Sequence, residues 1–361
     1  MDRGLGLFAG LNVLPKAAWF SSYSHRVTRK MNQDFLKSLH QLWKTSGLLS
    51  DTANLDFVTI PYWGDDTQLE NNWSGTRNKA LGSLLAVLAQ DPDTGIITYG
   101  DTPVRHKNKD RVVLEFLDFY TQDGGDELKY LVFDSQFTTY QQLRKLEDRP
   151  NPLKFLTIRR RGKKIVEELD ALPRSHWKKV RVMAADGKGR VLRVNEQTPL
   201  LKEYGKPIRQ VAIMGHGKIK PALIITNDFD LPLHSIIRKY ARRWLVEQQL
   251  NEQTQFFHLN RVSSSMVIKV DFDLTMSILA HNLYRLLAED LPGFTHNTAA
   301  TLFDKFMINS GQVHIDDNSV TVVMKKKRNI PALLSALEKF QNKPIAWMQD
   351  RKFSVVVDST S

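Results

Sequence analysis

Two apolar, β-favouring stretches of this sequence each contain one aspartate, and these carboxylates are the strongest constraint on how the chain folds. Asp56 stands inside the run LDFVTI at 55–60, and Asp134 closes the run KYLVFDS at 129–135. Short apolar runs of this kind predict buried strands. A carboxylate in a buried strand is costly to desolvate unless it is paired or bound to a metal. The fold therefore has to bring a cation to each aspartate.

A long helix is predicted over residues 236–260, IIRKYARRWLVEQQLNEQTQFFHLN. Within it, Tyr240, Arg243 and Glu247 follow one another at spacings of three and four, so one helix face carries all three side chains. An Arg and a Glu four residues apart usually form a solvated pair that contributes only about 0.2–0.5 kcal/mol. The two upstream aspartates favour a different interpretation, in which three carboxylates on two strands and a helix form a metal site.

The carboxylates of Asp56, Asp134 and Glu247 are hard oxygen ligands, which suit Mg²⁺ or Mn²⁺ and suit zinc poorly. Carboxylates placed this close repel one another unless cations occupy the site. Two such ions about 4 Å apart can hold the attacking and leaving oxygens of an in-line phosphoryl displacement. The pattern thus predicts metal-dependent chemistry on phosphodiesters without a protein nucleophile.

The charge balance favours a polyanionic partner. Lys and Arg number 51 against 39 Asp and Glu, which gives a net charge of +12 over 361 residues. Cysteine is absent, which excludes disulfides, thiolate metal sites and a cysteine nucleophile and fits a cytoplasmic protein. No apolar run reaches the roughly 18 residues of a membrane span, and Asp2 argues against a signal peptide at 7–18.

The order of predicted elements indicates an α/β fold. Its central part has predicted strands at 55–60, 81–89, 96–99, 129–135 and 153–158, and predicted helices at 110–120 and 138–146. The turn formers at 91–95 predict a hairpin between the second and third strands. Pro232 stands where the first turn of the long helix is expected, and a further strand is predicted at 319–324. The first three strands are expected to be antiparallel, and the later ones to be joined by crossovers.

We divide the chain into a helical N-terminal segment at 1–50, a catalytic domain at 51–170 and 221–290, a β-rich insertion at 171–220, and a C-terminal α/β segment at 291–361.

Three segments in this order, LDFVTIPYWGDD, YLVFDSQFTTY and YARRWLVE, resemble the DDE transposases of bacterial insertion sequences, in particular the group with a Tyr-Arg-Glu-Lys signature. The resemblance covers roughly residues 50–290. It implies a ribonuclease H-like mixed sheet flanked by helices, with the insertion before the last catalytic helix. It also implies divalent-metal-dependent cleavage and joining of DNA at the ends of the element, by a bacterial, nucleoid-associated protein that forms a homodimer in the synaptic complex.

By this resemblance, Asp56, Asp134 and Glu247 are the catalytic, metal-binding triad, with Mg²⁺ or Mn²⁺, two ions in all. Tyr240 and Arg243 are then expected to contact DNA phosphate near the active site. The sequence departs from the family at one position, because the signature's Lys falls on Thr254 and the nearest downstream basic residue of that kind is Arg261. This departure puts in doubt the DNA contact expected of that lysine. It does not affect the assignment of the triad.

Two further groups of residues are candidates for contact with double-stranded DNA. The first is the basic cluster after the strand at 153–158, formed by Arg159, Arg160, Arg161, Lys163 and Lys164. The second is Trp73, Arg77 and Lys79, an aromatic side chain with basic neighbours, suited to a strand end or a flipped base. Phosphate neutralisation supplies much of DNA affinity. Solvated loop charge and a buried core tryptophan are the corresponding structural alternatives.

Some assignments stay open at this point. Asp65 or Asp66 could replace Asp56 as the first carboxylate, although a loop after Pro61 suits them better. His216 could be a base or ligand, although its glycine neighbours favour a turn. The chain begins abruptly in apolar sequence, so we expect an upstream domain to be missing. A truncated, inactive DNA-binding relic and a metal nuclease of the same fold are the alternative functions.

Overall fold

The computed structural model describes residues 16–62, 69–74, 78–109, 111–121, 128–137, 139–183, 189–216, 221–259 and 267–358. The helices within these ranges are α1 Ala17–Tyr23, α2 Arg29–Thr45, α3 Val112–Thr121, α4 Tyr140–Glu147, α5 Lys163–Asp170, α6 Leu233–Gln255, α7 Val267–Asp290, α8 Ala299–Leu302 and α9 Ile330–Leu337. The strands are β1 Thr52–Pro61, β2 Glu70–Ser74, β3 Lys79–Gln90, β4 Ile97–Val104, β5 Tyr130–Phe133, β6 Lys154–Ile158, β7 Lys178–Met183, β8 Gly189–Gln197, β9 Arg209–Met214, β10 Ala222–Thr226, β11 Gly311–Ile315, β12 Ser319–Lys325, β13 Pro344–Ile345 and β14 Arg351–Asp358.

Ten of the described strands form one mixed sheet. Its order is β2-β3-β1-β5-β6-β10-β9-β8-β7, and β4 also pairs with β3. Strands β1, β3 and β4 are antiparallel, whereas β1, β5 and β6 run parallel, as the sequence predicted. Strand β2 is an addition that the sequence analysis missed. A mixed α/β fold is therefore confirmed, and the ribonuclease H-like assignment stays a prediction.

The strands predicted for residues 171–220 extend this same sheet. Strands β7, β8 and β9 form an antiparallel ladder, and β9 pairs with β10, which in turn lies antiparallel to β6. Alternate residues of β9 are buried in two different apolar clusters, one on each face. The β-rich segment thus continues the sheet beyond β6 through hydrogen bonds of its backbone.

The parallel register of the central strands positions the acidic residues. Leu55 of β1 pairs with Phe133 of β5, and Phe133 pairs in turn with Thr157 of β6. In a parallel pair, residues in register point to the same face. Asp56 and Asp134, one residue further along their strands, are therefore neighbours.

Helix α6 packs across the central strands and contacts β1, β5 and β6. Ile236, Ile237 and Tyr240, near its start, share an apolar cluster with Val132 and Leu156 of the strands below. Pro232 caps the N-terminus of the helix, where a proline replaces no needed N–H donor. The helix spans Leu233–Gln255, close to the prediction of 236–260.

The two ends of the chain lie outside the central sheet, one as a helix and the other mainly as a second sheet. The amphipathic helix α2 contacts β4 and α7 and buries Leu36 and Trp43, which agrees with the predicted N-terminal helix. At the C-terminus, β11 to β14 form a separate four-stranded sheet in the order β11-β12-β14-β13. Of its strands, the sequence analysis predicted only the one at 319–324. Within the described residues, no helix combines the length and apolar character needed to cross a membrane.

Candidate active site

Asp56 and Asp134 lie side by side on the sheet beneath helix α6. Asp56 is inside β1, and Asp134 directly follows β5. Adjacent strands are separated by about 4.8 Å, so the two carboxylates share one region of the surface. Each carboxylate accepts a local backbone N–H, from Phe57 at 2.9 Å and from Ser135 at 2.5 Å. These two hydrogen bonds fix the orientation of both carboxylates in that region.

Arg243 supplies the cation that Asp56 requires. Its Nη1 atom donates to Asp56 Oδ2 at 2.8 Å, across 187 positions of sequence. The Arg243 side chain is 7% exposed and that of Asp56 is 14% exposed. A paired carboxylate at low exposure keeps its charge because the guanidinium compensates it. The expected DNA contact of Arg243 is therefore accompanied by a structural role that the sequence did not show.

Tyr240 is the next side chain of this group and lies beside Arg243. The Arg243 guanidinium carbon lies 5.6 Å from the Tyr240 ring centroid. Burial raises the pKa of Tyr240 to about 12; Arg243 opposes this shift, and the charges of Asp134 and Asp56 add to it. The phenol therefore stays protonated and neutral at physiological pH, and both aspartates are close enough to act on it.

Neighbouring side chains fix helix α6 to the start of β1. Lys239 Nζ donates to Thr52 Oγ1 at 2.8 Å, lies 3.9 Å from Asp51 and stacks 4.1 Å from the Tyr130 ring centroid. Burial lowers the pKa of Lys239. One turn on, Arg242 pairs with Asp93 in the turn after β3. These contacts hold the helix in the register that places Arg243 above Asp56.

Glu247 follows Arg243 by four residues within the same continuous helix. That spacing places its backbone on the helix face of Tyr240 and Arg243. Its side chain lies outside the described part of the structure, as do Asp65, Asp66 and Arg77. Among the side chains that the structure describes, no group of three metal-binding residues occurs. The three-carboxylate triad consequently remains a prediction, with two members seen together.

The two described carboxylates are suited to a divalent cation. They offer oxygen ligands on neighbouring strands, the ligand type that Mg²⁺ and Mn²⁺ prefer. Asp134 has no described arginine or lysine within salt-bridge distance, whereas Asp56 does. Two neighbouring carboxylates repel each other, so this site favours the binding of further positive charge.

The basic cluster at 159–164 divides into two kinds of residue. Arg159 donates to Gln210 Oε1 at 2.6 Å, and Arg161 donates to the carbonyl of Pro221, so both support the sheet. Lys163 lies 3.7 Å from Glu167 on the exposed face of α5. Arg160 and Lys164 are exposed. The structure thus leaves fewer of these cations available to DNA than the sequence suggested.

A second basic group, missed in the sequence, borders a cleft beside Asp134. The cleft has a volume of about 560 Å³ and includes Lys107, Lys109 and Arg160 in its lining, next to Ser135 and Thr157. The segment RHKNKDR at 105–111 has five basic residues in seven, which was the available signal. Only the fold shows that this segment and Arg160 face the same cleft.

The remaining candidates have simpler surroundings. Trp73 is 61% exposed on β2, and Lys79 is exposed on β3, so the core-tryptophan alternative is wrong. His216 follows Gly215, whose φ of 85° marks a turn, as the glycines predicted. Thr254 lies in the last turn of α6, where its Oγ1 donates to the Asn251 carbonyl at 3.0 Å.

The fold and the site define a class of protein. Its members have a mixed α/β sheet with paired acidic residues beneath one helix. The chain belongs to the transposase DDE domain family, whose sequence model matches residues 59–283. The match includes Asp134 and Glu247 and begins three residues after Asp56. The resemblance seen in the sequence is thus confirmed for the DDE transposase domain.

Among solved structures, the chain is similar to a cryo-EM structure of the piggyBac transposase synaptic complex with hairpin DNA. The TM-score is 0.39 at 11% sequence identity, over 65% of this chain and 48% of that chain. This chain therefore spans about half the length of that protein. Curated protein sequences give no match.

Proposed function

We propose that this chain is a DDE transposase of a bacterial insertion sequence, in the group with a Tyr-Arg-Glu-Lys signature. It would bind the ends of its own element and catalyse cleavage and strand transfer of DNA. The observation that carries the proposal is the placement of Asp56 and Asp134 on adjacent parallel strands beneath helix α6. That helix carries Glu247 within the matched transposase domain.

In this proposal Asp56, Asp134 and Glu247 hold Mg²⁺ or Mn²⁺ through their carboxylate oxygens, two ions in the full site. When bound, the metal would activate a water or a 3′-hydroxyl and would stabilise the departing oxygen. The residues of the chain orient the reaction. The backbone N–H groups of Phe57 and Ser135 aim the two aspartates, and the sheet keeps them at fixed spacing.

Arg243 is assigned two tasks in this site. It compensates the charge of Asp56 through the 2.8 Å contact and fixes that carboxylate's orientation. Its position beside Tyr240, at the helix face that carries Glu247, also suits contact with a DNA phosphate close to the reacting atoms. Tyr240, protonated and neutral, can donate a hydrogen bond there without adding negative charge.

The proposed partners are double-stranded DNA at the element ends and the target, and a second copy of the chain in the synaptic complex. The net charge of +12 favours DNA as the polyanion. Trp73 and Lys79, both exposed on neighbouring strands, and the exposed residues Arg160, Lys163 and Lys164 remain the proposed DNA contacts. A cytoplasmic, nucleoid-associated location follows from this substrate.

The test is cleavage and joining of labelled DNA that carries the element's ends, with Mg²⁺ or Mn²⁺. Wild type is compared with Asp134→Asn and Glu247→Gln, and with Asp118→Asn as a matched control on the exposed face of α3. We expect metal-dependent products from wild type and the control, and none from the two site variants, with DNA binding retained in all.

Two results would replace the proposal. DNA binding without cleavage under either metal would identify an inactive relic. Cleavage by wild type that never yields joined strands would identify a nuclease of the same fold.

A further inference from the structure

A cleft opens immediately beside the acidic pair, on the side of Asp134. Ser135, the next residue along the chain, lines it, as does Thr157, whose neighbour in register is Phe133. Side chains alternate between the two faces of a strand, so Thr157 and Phe133 lie on the face opposite to Asp134. The cleft therefore approaches Asp134 around the end of β5, through Ser135. Its volume of about 560 Å³ lies within the roughly 300–1,000 Å³ of sites that hold ligands of nucleotide size.

The cations that line the cleft form no ion pair with the acidic side chains that the structure describes. Within the described part of the chain, Lys107, Lys109 and Arg160 form no salt bridge, in contrast with Arg209 and Lys206 nearby on the sheet. Glu203 is the acidic residue in the lining. An excess of unpaired positive charge in a concave site concentrates anions there.

The loop that presents the two lysines is held in place. The backbone N–H of His106 donates to Glu70 Oε2 at 2.7 Å, and the His106 ring contacts Asn72 Oδ1 at 2.8 Å. The backbone N–H of Arg105 donates to Asn108 Oδ1 at 2.8 Å. The lysines thus project from a fixed turn, so less order has to be imposed when a ligand binds.

A buried hydroxyl in the wall lacks a partner. Thr157 is 2% exposed, and its Oγ1 forms no hydrogen bond with any part of the chain that the structure describes. Buried polar atoms are nearly always hydrogen-bonded, so an orphan in the wall of a site indicates a ligand or ordered water there. Ser135, Thr139 and Tyr140 add further hydroxyls to the same lining.

We propose that this cleft binds the sugar–phosphate backbone of one DNA strand, next to the phosphate held at the acidic pair. The inference rests on the proposed function, since it takes Asp134 to mark the reacting phosphate. Lys107, Lys109 and Arg160 neutralise the flanking phosphates, and the hydroxyls bind phosphate or sugar oxygens. Apolar side chains in the wall, among them Leu143 and Ile158, lie against the sugar or base.

The test measures binding of a fluorescein-labelled 20-nucleotide single strand, and of its duplex, by anisotropy in EDTA. The double variant Lys107→Ala/Lys109→Ala is compared with Lys129→Ala/Lys178→Ala, which removes the same charge from exposed lysines outside the cleft. Each lysine that neutralises a single-strand phosphate contributes about 0.7 to the slope of log affinity against log salt. We therefore expect the cleft variant to lose about 1.4 of that slope and to bind on the order of tenfold more weakly.

Equal salt slopes for the two double variants would overturn the proposal, provided that both unfold at the wild-type temperature. Saturable binding of a mononucleotide by wild type, with no loss of strand affinity in the cleft variant, would instead identify a small-molecule site. Because EDTA removes the metal, these results are independent of cleavage. Normal cleavage with a wild-type salt slope in the cleft variant would refute the cleft and leave the transposase proposal standing.

Discussion

Asp56 and Asp271 are both aspartates withdrawn from solvent, and they differ in the groups that contact them. Asp56 faces a guanidinium at 2.8 Å. Asp271, on α7, is 4% exposed and accepts from Thr102 Oγ1 at 2.9 Å and Asn32 Nδ2 at 3.4 Å. Burial raises the pKa of Asp271, and Asp101 adds to the effect. Asp56 thus contacts a positive charge, whereas the two donors to Asp271 are neutral groups.

The difference separates the proposed metal-binding acid from one that joins elements of the fold. Asp271 joins three elements, because its partners Asn32 and Thr102 come from α2 and β4. This buried network fixes the N-terminal helix to the catalytic sheet. Asp56 instead lies inside β1 next to Asp134, where we propose that its carboxylate binds a metal. Burial alone therefore does not mark an active-site acid, and the nature of the neighbours does.

The largest expected effect is on activity. Asp56→Asn removes a metal-binding charge and should reduce DNA cleavage by about 10³-fold or more, several kcal/mol of transition-state stabilisation. Asp271→Asn should cleave DNA like wild type, since Asp271 contacts Thr102 and Asn32 and not the acidic pair. Initial cleavage rates in Mg²⁺ measure both, at a temperature where circular dichroism shows each variant folded. Equal loss in the two variants would remove the distinction between the acids.

The second effect is on stability without metal. Arg243→Gln removes the guanidinium that pairs with the Asp56 carboxylate at low exposure, which should cost about 3 kcal/mol of unfolding free energy. Mg²⁺ should raise the melting temperature of this variant more than that of wild type, because the cation replaces the lost guanidinium. Thermal unfolding in EDTA and in Mg²⁺ measures both quantities.

Arg242→Gln is the matched control for that measurement, since Arg242 pairs with Asp93 near the surface. Exposed pairs contribute about 0–1 kcal/mol. If the two variants unfold alike and respond alike to Mg²⁺, Arg243 does not serve as the counter-ion of Asp56.

The smallest effect is the pH dependence at Asp271. A folded-state pKa above the unfolded value means that the folded protein binds the proton more tightly, so this group favours folding in acid. The contribution is lost as pH rises through the folded-state pKa. The unfolding free energy of Asp271→Asn should match that of wild type near pH 4 and exceed it by on the order of 1 kcal/mol at pH 8. Urea unfolding across that range measures the difference, and the opposite trend would show that folding lowers the pKa of Asp271.

Many of the strands and helices could be predicted from the local sequence. Strands around Asp56 and Asp134 were predicted by short apolar runs, and helix α6 by its periodicity and by Pro232 at its start. The hairpin of β3 and β4 followed from the turn formers at 91–95. These signals are local, because side-chain periodicity and turn chemistry depend on residues close in sequence. The edge strand β2 and the C-terminal strand β14 were missed.

The sequence by itself determined the identity and spacing of the acidic residues, the strands and helix that carry them, and the excess of basic charge. Only the tertiary structure decided which cations stay available. It pairs Arg243 with Asp56 and Arg159 with Gln210, while it leaves Lys107 and Lys109 in an open cleft. The physical reason is that an electrostatic interaction depends on the distance and burial of two groups, and folding sets both between residues far apart in the chain.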